Sequence, residues 1–240
     1  MHNILLCLVC LCALVCLPNT SSAAQFARNL ATSLRDMEYF YKHQEPKTLA
    51  GMLRAFDREH KFAKGELRLT TAAFLAEVFR KEPIVAKDIL QKAQNMSREA
   101  QTMLLWAIHL SKREDLQEFC SNLHLADNQV LCKQISSRPR DLTKWDLTTS
   151  NTILHMYWGA FFAYADLRYL DAIIDAAVLH ARLKSLGRTR DAQFSGSMAA
   201  CASLYEMTPR HPLVRKRLSE RLTHLEAAEV KTLSIILNQN

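Results

Sequence analysis

The sequence predicts an all-α protein, an array of antiparallel helical hairpins that could close up as a short solenoid. Three observations predict it. Glycine occurs five times in 240 residues, well below the usual 7% or so. No segment alternates apolar and polar residues with β-branched side chains, as a half-buried strand would. Apolar side chains recur instead at three- and four-residue spacing along almost the whole chain.

The first segment stands apart. Residues 1–24 contain no Asp, Glu, Lys or Arg, and Ile4 to Leu17 is an unbroken apolar run. That run is shorter than the roughly 20 residues a membrane span needs. Pro18 and the small residues Ser22, Ala23 and Ala24 follow it. Apolar core, helix breaker and small-residue site are the anatomy of a secretory signal, with cleavage expected after Ala24. An exported, periplasmic or secreted product is therefore expected. The net charge of +7, from 31 basic and 24 acidic side chains, is compatible with an anionic partner or with solubility alone. Nucleic acid is not an expected partner, because it is scarce outside the cytoplasm.

Helical periodicity then predicts helices over 25–42, 46–61, 66–81, 83–94, 97–111, 114–123, 126–135, 148–164, 166–184, 189–206, 209–224 and 226–237. Pro46, Pro83 and Pro209 each open an apolar-periodic stretch, where a missing N–H costs nothing. Thr208 and Asp166 are good residues for capping the helices after them. Residues 136–147 carry Pro139 and no apolar periodicity, and so are expected to link an N-terminal half, 25–135, to a C-terminal half, 148–240. Short connections elsewhere suggest antiparallel neighbours. Both halves hold an aromatic-and-alanine helix, a turn and an amphipathic helix: Ala73–Ala76 before Pro83, and Ala160–Ala163 before Asp166.

Two resemblances follow from these segments. Gly159, Phe162 and Ala172 fall near the small and aromatic positions of a tetratricopeptide hairpin, over some 30 residues. Trp158-Gly-Ala-Phe-Phe-Ala, the following Asp166-x-Arg-Tyr and the upstream Phe74-Leu-Ala-Glu-Val-Phe-Arg look like a group of uncharacterised exported bacterial helical proteins. That second resemblance implies export and a helical fold, and supplies no activity.

Few residues point to chemistry. Cys120 and Cys132 flank a polar turn and are expected to form a disulfide in an oxidising compartment. Cys120, His124 and Cys132 read less well as metal ligands, since structural zinc wants four at tighter spacing. Cys201 is expected to be a buried free thiol. No paired-histidine motif, phosphate loop or nucleophile elbow exists, and with so few glycines neither loop could form; no cofactor or metal is expected. Tyr157, Trp158 and Tyr169 could line a pocket with Arg168 as anion partner, although rings covering a helix all round are normally core. Asp171 and Asp175, one turn apart, read as a solvated pair rather than as acid and base. Arg215, Lys216, Arg217 and Arg221 ride on the helix expected at 209–224 and could meet an anionic surface. The expected role is a non-enzymatic module that binds another protein. An enzyme with a scattered site around Trp158, Arg168 and Tyr169 is the alternative, and a helical effector or toxin at a host or membrane surface is a third.

Overall fold

Local chemistry sets where half of the helices begin. Ser97 Oγ accepts from the Ala100 amide at 3.2 Å, Ser150 Oγ from the Thr152 amide at 3.2 Å, and Asp166 Oδ1 from the Arg168 amide at 3.0 Å. Each satisfies a donor that the first helical turn would otherwise leave unpaired. Pro83 and Pro212 occupy first-turn positions. Glu226 and Glu229 form a reciprocal capping box at the last helix.

The computed structural model describes residues 32–123 and 128–238, and the chain divides into units 1–37 and 38–240. Of the first unit, residues 32–37 are described, and they are helical. The leader expected over 1–24, its cleavage point, and His124 lie outside the described residues.

The second unit is all-α, with no strand among the described residues. Its helices are α1 (Phe40–His43), α2 (Leu49–Arg58), α3 (Gly65–Lys81), α4 (Pro83–Gln91), α5 (Arg98–Leu110) and α6 (Leu116–Asn122). Then follow α7 (Asn128–Ser136), α8 (Asn151–Tyr164), α9 (Leu167–Ser185), α10 (Phe194–Met207), α11 (Pro212–Leu222) and α12 (Ala227–Leu237). No described helix is long and apolar enough to cross a membrane.

Several helix starts fall later than expected: the helices expected from 189 and 148 begin at Phe194 and Asn151, and two others depart at prolines. Pro46 opens a short 3-10 turn, and α2 starts only at Leu49. Thr208 does not cap the helix after it: its hydroxyl donates back to Leu204 O at 2.7 Å, closing α10, and α11 waits for Pro212. Two prolines competed for the first-turn position. The one preceded by extended backbone at His211 took it.

The core is organised around α3 and α8, which make the most extensive helix–helix contact. Both are apolar around most of their circumference; Thr70 to Phe79 are all buried, as are Met156 to Ala163. They run parallel, because Glu66 faces His155 at 3.1 Å and Thr70 faces Gly159 one turn further along each helix. Gly159 permits this approach, since a Cβ there would sit 2.3 Å from Thr70 O. Residues 136–147 pack onto this core. Tyr157 Oη donates to Leu142 O and Trp145 O, each at 3.0 Å, and Trp145 Nε1 donates to Pro139 O at 2.9 Å. Helices α5 and α9 flank the pair, and α10 and α12 lie against α9.

Candidate functional site

Cys120 and Cys132 are bonded, with α-carbons 6.3 Å apart, inside the range a disulfide spans. Cys201 is free but half-buried rather than fully enclosed. Among the described residues no group of three or more His, Cys, Asp or Glu is placed to hold a metal.

The aromatic constellation is closed. Trp158 and Tyr169 are each 2% exposed, so neither ring offers a face to a ligand. The Trp158 indole donates to Ser203 Oγ at 3.0 Å and stacks on Phe162. Tyr169 donates to Glu77, whose carboxylate also accepts from Arg80 at 2.6 Å. Arg80 in turn donates to Leu110 O at 2.9 Å. Burial, then the Glu77 charge, pushes the Tyr169 hydroxyl far above its usual range. This is a satisfied polar lock joining α3, α5 and α9. Arg168 stands outside it, exposed and paired with Asp166 at 2.6 Å; its guanidinium lies 5.8 Å from the Tyr169 ring centroid, while the buried Trp158 is committed to Ser203 and Phe162.

The basic helix is also largely partnered. Arg217 makes a two-pronged contact with Asp171 at 2.7 and 2.8 Å, and Arg221 pairs with Asp175. The constant offset makes α9 and α11 parallel and gives the two aspartates a packing role. Arg215 donates to Leu237 O at 2.9 Å, and Lys216 lies 4.0 Å from Glu220.

A second buried polar cluster was not visible in the sequence. His211 is fully buried, with Glu38 Oε1 2.8 Å from Nε2 and Tyr41 Oη 3.0 Å from Nδ1. Tyr39 and Phe162 stack on the ring, with centroids 4.8 and 5.4 Å away. Burial lowers its pKa below the usual histidine value despite the carboxylate. The neutral ring therefore donates from Nε2 to Glu38 and accepts from Tyr41, whose hydroxyl burial pushes up to about 12.

A groove of about 340 Å3 lies open between α9, α10 and α12. Met198, Tyr205 and Ile235 line it and are 49%, 51% and 62% exposed. Residues 198, 202 and 205 share one face of α10, the spacing that puts side chains on one stripe. Met198 is flexible enough to fit irregular surfaces. Lys184 stands at the rim, with no ion-pair partner among the described residues. His180 lines the same groove. It is 7% exposed, its Nδ1 has no hydrogen-bond partner among the described residues, and burial lowers its pKa. Burial raises the Cys201 thiol above its ordinary value. The sequence signal was present: α10 carries apolar residues on both its faces, one toward Ala200 and Leu204 and one toward Met198 and Tyr205.

No protein-family model, no curated protein and no solved structure matches this chain.

Proposed function

We propose that this protein is an exported, non-enzymatic binding module that receives an amphipathic helical segment of another protein. The groove between α9, α10 and α12 carries the reading. Three of the eight large apolar side chains that are exposed among the described residues line it together. Apolar patches on a soluble surface mark interaction sites when they are contiguous. A groove of packed helices receives a helix by accepting anchors at its three- and four-residue spacing. Lys184 at the rim and the net charge of +7 favour a partner helix whose stripe is flanked by acidic side chains. Export is supported by the charge-free apolar N-terminal run and by a disulfide of the kind oxidising compartments preserve.

The test places a photo-crosslinking residue at Met198 in the exporting cell and identifies what is captured. The expected product is a heterologous protein, crosslinked through an amphipathic helix, and lost with Tyr205→Glu or Ile235→Glu. Equal capture by these variants would overturn the reading. A crosslinked species of twice the chain's mass would assign the groove to self-association instead.

A further inference from the structure

A cleft of about 520 Å3 lies at the opposite end of the sequence from the groove, between α2, α4 and the turn that leads into α5. Its floor is apolar: Leu53 and Ile89 are 1% and 2% exposed, and Met96 lines it with them. Three cations and one carboxylate line it, and their commitments differ. Lys92 is held by Asp88 at 2.6 and 2.7 Å. Asp57 accepts from the Ser97 amide at 3.0 Å and from the Ser97 hydroxyl, fixing the start of α5. Arg54 and Arg58 have no ion-pair or hydrogen-bond partner among the described residues.

The side chains of Arg35, Arg138 and Arg190 likewise lack such a partner among the described residues, but most arginines here are committed, and Arg54 and Arg58 stand together at one cleft. Arg80, Arg113, Arg168, Arg182, Arg188, Arg210, Arg217 and Arg221 all pair with a carboxylate. Arg54 and Arg58 stand one turn apart on the same face of α2 and at the mouth of one cavity. Two like charges at that spacing repel modestly, and an anion between them removes the repulsion while filling both planar donor forks. The floor beneath them at Leu53 and Ile89 is apolar, while the other polar lining groups are Asn95, Lys92, held by Asp88, and Asp57, held by Ser97. The volume falls in the range of small-molecule sites, roughly 300–1,000 Å3.

We infer that this cleft binds a small amphiphilic anion, with its carboxylate or phosphate between Arg54 and Arg58 and its apolar body over Leu53 and Ile89. The site is separate from the groove of α9, α10 and α12, so it stands or falls independently of the partner assigned there.

Isothermal titration of the purified protein tests it with four probes: decanoate, decyl phosphate, decanol and inorganic phosphate. At least one of the two decyl anions should bind saturably, and which one does distinguishes a carboxylate ligand from a phosphate ligand. Decanol and inorganic phosphate should bind at least tenfold more weakly, because each lacks one half of the recognition. The Arg54→Gln/Arg58→Gln variant should weaken the bound anion at least tenfold at unchanged melting temperature, since both side chains are exposed and unpaired. The charge-matched variant Lys133→Gln/Lys144→Gln should bind as the native protein does. Absence of saturable binding by both decyl anions, equal binding of decanol, or equal affinity in the Arg54→Gln/Arg58→Gln variant would each overturn the assignment.

Discussion

Gly159→Ala pits two effects of known size against each other. In an isolated helix the change is favourable by about 1 kcal/mol, because alanine is the better helix former. In this fold the added Cβ would lie 2.3 Å from Thr70 O and 3.1 Å from Thr70 C and Cγ2. The two nearest of those atoms are backbone and cannot rotate away. Ordinary contact distances of about 3.5–4 Å return only if α3 and α8 separate by about 1 Å. Overpacking of that kind costs about 1–3 kcal/mol, and here it acts on the largest helix contact in the core. The net expectation is a loss of about 0–2 kcal/mol, a shift of some 2–4 °C per kcal/mol at this size. Gly51→Ala is the matched control. Gly51 lies within α2 with no heavy atom within 4 Å of the added Cβ, so it should gain about 0.5–1 kcal/mol. Urea unfolding followed by far-UV circular dichroism reads both. If Gly159→Ala gains about 1 kcal/mol, as an unobstructed alanine would, the close approach of α8 to Thr70 of α3 is wrong.

Other outcomes follow from the same geometry. Trp158→Ala should cost roughly 3–5 kcal/mol through the cavity it leaves and the orphaned Ser203 contact, and a loss below about 1 kcal/mol by chemical denaturation would reject its placement in the core. Replacing Cys120 and Cys132 by alanine should cost about 3 kcal/mol in the chain-entropy model; non-reducing peptide mapping of the native protein should find these two linked and Cys201 free. The pKa values of His109, His180 and His211 are all lowered, chiefly by burial, from the ordinary 6.5. The unfolded chain therefore takes up protons that the fold resists. Stability from these three is full above about pH 6.5 and falls as the pH drops below it. Melting temperature measured from pH 7.5 down to 5 should decline, and His211→Gln should flatten the decline.

The helices were legible because their causes are local. The spacing of Phe74, Leu75, Val78 and Phe79 places a helix, and Pro83 and Asp166 mark where the next ones start, all within a few residues of each other. What sequence spacing did not carry is which helix meets which. Glu77 reads as one more solvated carboxylate until Tyr169, from a helix far along the chain, is seen donating to it beside Arg80. His211 has no partner nearby in sequence that would mark it, because Glu38 and Tyr41 from the other end of the unit enclose it. Arg217 and Arg221 looked like a cationic surface because Asp171 and Asp175 lie 46 residues earlier. The groove residues were visible as apolar positions on α10, but periodicity cannot say which of two apolar faces stays uncovered.

The parallel contact of α3 with α8 has a consequence in time. Ribosomes add about 5–20 residues per second, so Lys81 emerges roughly 4–16 s before Phe162 does. For that interval α3, greasy on nearly every side, has only its near neighbours in sequence to lean on. The nascent N-terminal half is thus a natural client for holdase chaperones, and the C-terminal half is its eventual replacement for them. A chain halted before Asn151 should never leave that dependence, and should accumulate as aggregate or be degraded.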